Sequence, residues 1–305
     1  MKAVAAGLAI LCVAPLVLPT YQVSLAAQVL IFAMLAMSID ILAGFTGRTP
    51  LSHGAIFGTA AYVTIWWVTE QGGSPWAGMA VGIMAATALA LLFGLIATRV
   101  SGVYFLLLTL ALGMIVWGVC LRWSSVTGGE NGLRGAIRPA VLASGVRFYY
   151  AVLVVAACVA FAIWRLVRSP FGLTLRGIRD SEGRMQALGY NVPLHLLIAF
   201  TASGFFAGVA GAAYALFNES VSPSTVALGQ SVKGLLMAIT GGVGTVFGGF
   251  IGAGVVVALE NLVSVYTERW QSVMGIMFIA IMIVAPEGIL GWVLASRVFK
   301  RGERA

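Results

Sequence analysis

Apolar residues run along this chain in long unbroken blocks separated by brief polar breaks, most cleanly over 101–121 and 148–164. A helix crossing a bilayer needs about 20 apolar residues, so blocks of that length predict helices. The strands of a membrane barrel would instead alternate apolar and polar residues over short segments. Breaks at charges, Pro and Gly place spans near 3–20, 23–44, 50–69, 76–98, 101–123 and 148–167. After a polar stretch at 168–192 come 194–217, 230–246, 247–264 and 271–294. The 230–264 block carries Gly241, Gly242, Gly244, Gly248, Gly249, Gly252 and Gly254 in its middle. It reads either as two short spans or as a re-entrant turn between half-helices. The expected fold is an all-α polytopic membrane protein of about ten transmembrane or re-entrant helices, in a single domain over 1–305.

Composition closes off the soluble alternatives. Of 305 residues 60% are hydrophobic and 9% charged, and the mean hydropathy is +1.01. Soluble domains carry about 25% charged residues and need a polar skin. A soluble enzyme, a nucleic-acid-binding domain and a disordered chain are therefore excluded. The net charge of +8 has no dense basic patch interleaved with aromatics, so it reads as cytoplasmic loop charge rather than a nucleic-acid surface.

Those basic residues set the orientation. With the N-terminus inside, the inner segments hold Lys2, Arg48, Arg99, Arg165, Arg168, Arg176, Arg179, Arg184, Arg297, Lys300, Arg301 and Arg304. Outer segments hold Arg122, Arg134, Arg138, Arg147 and Arg269, with Lys233 near the outer end of its span. Twelve against six favours both termini in the cytoplasm. Lys2, the apolar run to Leu18 and Ser24-Leu25-Ala26 loosely imitate a signal peptide. The length of that run, Pro15, Pro19 and the apolar stretch that follows favour an uncleaved first helix.

Small residues recur every four positions at Gly78, Gly82, Ala86, Ala90 and Gly94, again at Gly204, Gly208 and Ala212, and again at Gly244, Gly248 and Gly252. Such stripes let helix backbones approach closely in lipid. The glycines at 241–254 miss the third spacing of a dinucleotide fingerprint. Cys12, Cys120 and Cys158 sit singly in apolar runs and read as small buried residues.

Ionisable residues inside a membrane are functional candidates. Asp40, His53 and His195 are expected near inner ends, and Lys233 and Glu260 near outer ends, with none at the midplane. That distribution argues against an ion-coupled carrier. Asp40 with Arg48 reads as an interfacial pair, and His53, beside Ser52 and Gly54, as a hydrogen-bonded packing residue. No HExxH pair and no GxxxxGK[ST] phosphate loop occurs, so any ATP this protein uses is expected on another chain.

The longest central polar stretch runs from Ser169 to Pro193. Asp180 or Ser181 can cap a helix there, and Gly189 with Pro193 can end it. About two turns outside the membrane would place Met185 and Leu188 on one face, among Arg176, Arg179, Asp180, Glu182 and Arg184. Such a helix suits docking into a partner's groove; a solvated positive-inside loop is the other reading on these grounds.

The stretch Phe171–Val192 resembles the cytoplasmic coupling segment of branched-chain amino acid ABC importers, specifically the LivM-type permease family. Leu51-Ser52-His53-Gly54-Ala55-Ile56-Phe57-Gly58 with Ala61-Tyr62 is similar to the family's early motif, and Gly102-Val103-Tyr104-Phe105 with Leu108-Thr109-Leu110-Ala111 to its central-helix motif. Thr127-Gly128-Gly129-Glu130-Asn131-Gly132-Leu133 resembles the outer-loop motif. Ser203-Gly204 with Ala207–Gly211, Val221-Ser222-Pro223, Gly241–Thr245, Arg269-Trp270 and Pro286-Glu287-Gly288 complete the order. Ala60 stands where the early motif usually has Gly, and Gly249 where Pro is common; both are expected at packing positions.

The resemblance implies an ATP-driven importer subunit in a bacterial or archaeal cytoplasmic membrane, without an enzyme activity of its own. It implies pairing with a second related permease, two ATP-binding subunits and an extracytoplasmic solute-binding protein. ATP and Mg would sit on the partners, with no cofactor on this chain. Coupling to the ATPase falls to Arg176, Arg179, Asp180, Glu182, Arg184, Ala187, Leu188 and Gly189. Ser52, His53, Gly54, Gly58, Tyr104 and Thr109 are the pathway candidates. The implied cargo is a branched-chain or other hydrophobic amino acid, with urea or short amides the family's other cargo. A self-sufficient secondary carrier or channel is the reading from a different class.

Overall fold

The computed structural model describes residues 19–135 and 138–266, with isolated positions at 11–12, 15, 272–273, 275–276, 278–279, 283 and 288–290. The expected first span at 3–20 and last span at 271–294 lie largely outside these residues, as do Arg269-Trp270, Pro286-Glu287 and the charges at Lys2, Arg297, Lys300, Arg301 and Arg304. The described architecture is all-α apart from one two-residue strand pair. Its long helices are α1 (Thr20–Ala43), α2 (His53–Thr69), α3 (Pro75–Ala97) and α4 (Gly102–Arg122). A short α5 (Ser124–Thr127) precedes α6 (Gly145–Arg168), α7 (Pro170–Asp180), α8 (Glu182–Ala187) and α9 (Val192–Asn218). Then come α10 (Pro223–Val226), α11 (Leu228–Gly241) and α12 (Gly248–Tyr266). Among the described residues six of these are long and apolar enough to cross a membrane: α1, α3, α4, α6, α9 and α12.

Helix α1 is the axis of the bundle. Every residue from Leu30 to Leu42 is buried, against α6, α9 and α12. A helix enclosed on all sides has no polar face to mark it, so its apolar run carries no periodic signal. The small-residue stripe on α3 does mark a face: Gly78, Gly82, Ala86, Ala90 and Gly94 are all buried, against α2 and α9. A Cβ on Gly204 of α9 would run into the Ala90 methyl, one on Gly208 would meet Ala86 Cβ at 2.9 Å, and one on Gly82 would meet the Ala60 carbonyl oxygen at 2.6 Å. These helices touch backbone to backbone, where dispersion contact replaces the hydrophobic drive that lipid removes. Ala60 is fully buried, and a Cβ on Gly249 would meet Met37 Cγ at 2.8 Å, so both departures from the family motifs occupy packing positions.

The glycine-rich block resolves into two unequal helices joined by a turn. Helix α11 has 14 residues and is about 21 Å long, short of the roughly 30 Å hydrocarbon core; α12 has 19. Gly241 and Gly248 close on each other where the pair splays, and Gly242 and Gly244 take φ of 116° and 81°. Only glycine adopts such angles without strain.

Chain enters α11 from the end of α9 through an extended segment. Ser220–Val221 (β2) pairs antiparallel with Leu133–Arg134 (β1), with Leu133 opposite Val221. Segment α10 and the start of α11 then pack along α2: a Cβ on Gly58 would meet Val226 Cγ2 at 2.7 Å, and the Gly54 N–H donates to Ser231 Oγ at 2.8 Å. The N-terminal turn of the short α11 therefore lies inside the bundle, beside that of α2.

Candidate functional site

The polar stretch after α6 folds as two helices, where the sequence suggested one. Ser169 Oγ accepts from the Gly172 N–H at 3.4 Å and Pro170 opens α7, a proline-started, serine-capped N-terminus. The chain breaks at Ser181, which is extended, and Ser181 Oγ accepts from the Arg184 N–H at 3.3 Å to cap α8. Gly189, at φ 87°, ends α8. Pro193 belongs to the next element: Asn191 Oδ1 accepts from the Leu194 N–H at 3.2 Å and Pro193 sits in the first turn of α9. The 11-residue α7 opens on a serine and a proline, residues that mark loops as readily as helix starts.

The expected pairing of Met185 and Leu188 on one face does not occur. Met185 turns in to Ile178, Val192 and Leu196, which form a satellite core under α8, and a Cβ on Gly177 would meet its sulfur at 2.7 Å. Leu188 turns out, 67% exposed, and Tyr190 is 44% exposed beside it. Arg176, Arg179, Asp180, Arg184, Ala187 and Gly189 are exposed as well, and Glu182 is half-buried. The result is a polar, basic ridge with an apolar tip.

Three contacts fasten this ridge to the bundle. Arg48, 7% exposed, pairs through Nη2 with Glu182 Oε2 at 2.9 Å. Its Nη1 donates to the Val100 carbonyl at 2.6 Å and the Thr98 carbonyl at 3.4 Å, and its guanidinium lies 5.6 Å from the Phe105 ring centroid. Arg179 Nη1 donates to the Gly44 carbonyl at 2.8 Å, and the Arg179 stem covers Gly47, where a Cβ would meet its Cγ at 2.8 Å. Arg176 lies over Phe45 at 5.2 Å. Behind Gly44, Asp40 Oδ1 accepts from the Gly244 N–H at 2.7 Å. The expected Asp40–Arg48 pair is therefore corrected: Arg48 reaches sideways to α8, and Asp40 holds the turn between α11 and α12. Neither partner is near in sequence, so spacing could not find them.

The pathway candidates separate into two groups. Ser52, His53, Gly54, Gly58 and Thr109 are all buried. His53 Nε2 hydrogen-bonds Ser203 Oγ at 2.6 Å, and Ser203 Oγ donates to the Ser38 carbonyl at 2.5 Å. The packing role expected of His53 matches this geometry. Thr109 Oγ1 accepts from the Leu51 N–H at 3.0 Å, fixing the lead-in to α2 against α4. Tyr104 instead stands 75% exposed on the outer face of α4, with Val103, Leu107, Met114, Ile115 and Val119.

Three titratable residues lie deeper than expected. Lys233 of α11 pairs with Glu260 of α12, and its ammonium lies 4.3 Å from the Phe32 ring centroid. Phe32 is the thirteenth of the 24 residues of α1, so the pair sits halfway along the central helix. His53 also lies inward of its expected level, since Ser203 is the twelfth of 27 residues in α9. The cause is the shortness of α2 and α11, which begin inside the bundle.

The sequence model of the family described as branched-chain amino acid transport system / permease component matches residues 21–285. The chain is 25% identical to the high-affinity branched-chain amino acid transport system permease protein LivM of Salmonella typhimurium, over 95% of this chain and 74% of that protein. It is 25% identical to LivM of Escherichia coli, over 97% and 76%. It is 23% identical to the permease protein LivH of Salmonella typhimurium, over 85% and 91%. No solved structure matches the chain. With the family model spanning all described long helices and the glycine contacts between them, the chain belongs to the branched-chain amino acid transport permease family.

Proposed function

We propose that the chain is one permease subunit of an ATP-driven importer that carries branched-chain or other hydrophobic amino acids across the cytoplasmic membrane. It works beside a second, related permease, as the likeness to both LivM and LivH suggests. Two ATP-binding subunits would engage the α7–α8 ridge, and a solute-binding protein would deliver cargo from outside. ATP and Mg would be held by those subunits. About ten membrane segments with both termini inside remain the reading of the charge pattern.

The observation that carries this reading is the fastening of the ridge. A solvated loop has no need of a buried arginine. Arg48 instead ties Glu182 of α8 to the carbonyls closing α3, and Arg179 ties α7 to the end of α1 and, through Asp40, to the α11–α12 turn. A push on the exposed residues Arg184, Ala187, Leu188 and Gly189 would therefore reach helices α1, α3, α4 and α11 together. ATP then favours one membrane arrangement through the contacts it makes only there. The bare face of α4 around Tyr104 is the surface offered to the path between the two permeases. Purification of the tagged chain from its native membrane in mild detergent tests the assembly: a second permease and an ATP-binding subunit should accompany it. The chain recovered alone, from an extract in which control complexes survive, would point to a self-sufficient carrier or channel.

A further inference from the structure

Resting on that reading, we infer that Lys233 and Glu260 form a charge-reading pair for a zwitterionic cargo, opened only by a solute that carries both an ammonium and a carboxylate.

The pair stands against the Phe32 ring at mid-height of the bundle, with Lys233 16% and Glu260 22% exposed. Ion pairs of this kind are poor stabilisers, because the desolvation of two charges consumes their attraction and an apolar pair of equal size holds two helices as well. Among the described residues its hydrogen bonding is also incomplete. A lysine ammonium can donate three bonds and a carboxylate can accept about four. Among the described residues Glu260 accepts no hydrogen bond from the backbone or from a side chain other than Lys233, and Lys233 has the Phe32 face as its second partner. One further feature biases the place toward an anion beside the ammonium. Helix α11 starts five residues before Lys233, at Leu228, with Ala227 at its N-cap and no side-chain cap, and Gly229 in its first turn faces open space. Uncapped N–H groups inside a membrane favour a carboxylate.

An amino acid arriving here can exchange partners. Its carboxylate takes Lys233 and the first turn of α11 while its ammonium takes Glu260, and no charge is left unpaired at any stage. A neutral solute such as urea cannot open the pair without stranding two ions in an apolar layer. A singly charged solute strands one. The pair is thereby a filter for zwitterions that needs no tight site.

The test uses the complete importer in proteoliposomes, with ATP inside the ATPase compartment and labelled leucine as the probe. Lys233→Gln with Glu260→Gln removes both charges and keeps polar side chains of similar length. We expect normal assembly and leucine uptake at least tenfold lower. Uptake within twofold of wild type in an assembled complex overturns the inference. Lys233→Arg guards against failure to assemble, since it keeps the pair and binds the carboxylate through two N–H groups. A pair that is harder to open should slow uptake severalfold at normal abundance; unchanged uptake again overturns the inference. A wild-type complex that takes up no leucine, isoleucine or valine overturns the proposed cargo, and the inference with it. A working wild type beside an equally active double variant removes the inference alone.

Discussion

Arg48 and Glu182 lie 134 positions apart and meet at 2.9 Å, the arginine buried and the glutamate half-open to solvent. One guanidinium thus joins the outermost short helix to the loop between α1 and α2 and to the turn between α3 and α4. Its attraction for Glu182 is partly screened, so the pair contributes at most about 1 kcal/mol to stability. Glu182→Gln should therefore leave abundance unchanged and lower uptake per ATP hydrolysed severalfold. Arg48→Ala strands two carbonyls and should cost about 1–3 kcal/mol as well, visible as a lower melting temperature in detergent. Unaltered transport stoichiometry in Glu182→Gln would show that the link carries no motion.

The ridge itself gives a stronger test. Arg179→Glu removes the donor to the Gly44 carbonyl, and Gly189→Pro demands a negative φ where the chain has 87°. Together they should separate ATP hydrolysis from uptake while the bundle stays folded. Intact transport by the double variant would remove the coupling role from this segment.

At the base of the bundle, Asp40 acts as an acceptor for the Gly244 N–H. Asp40→Asn keeps an oxygen there and should be tolerated. Asp40→Leu leaves a half-buried N–H unpaired and should cost about 1 kcal/mol. Thermal unfolding of the two variants in the same detergent compares them directly; equal melting temperatures would deny the bond a role.

Glycine stripes predict position-dependent intolerance. Gly204→Leu must push α9 off Ala90, and overpacking of this kind costs about 1–3 kcal/mol. Gly118→Ala, on α4, meets nothing within 4 Å and should be neutral. Expression level and melting temperature should fall for the first alone.

Tyr104 and Thr109 share a helix and part company in the structure. Tyr104→Ala should lower uptake or shift its selectivity with abundance intact, since its side chain is 75% exposed. Thr109→Ala loses the acceptor for the Leu51 N–H and should lower stability by about 1 kcal/mol with selectivity unchanged. Radiolabelled uptake normalised to complex abundance separates the two effects.

Much of this protein is determined by the sequence alone, because a lipid-facing chain must solve its hydrogen bonding locally. Apolar blocks of span length become α1, α3, α4, α6, α9 and α12, and the four-residue stripe at Gly78–Gly94 becomes a buried face, since both signals are properties of single helices. The capping role of Ser181 is equally local. Tertiary structure decided what depends on residues far apart. Hydropathy places the start of α2 and α11 at span edges, yet both begin inside the bundle where the Gly54 N–H meets Ser231. That shift carries Lys233 and Glu260 to mid-height and buries His53 against Ser203. Arg48 likewise chose Glu182 over the nearer Asp40, because a charge pairs with whichever group the fold brings within about 4 Å. Sequence order carries no record of that distance.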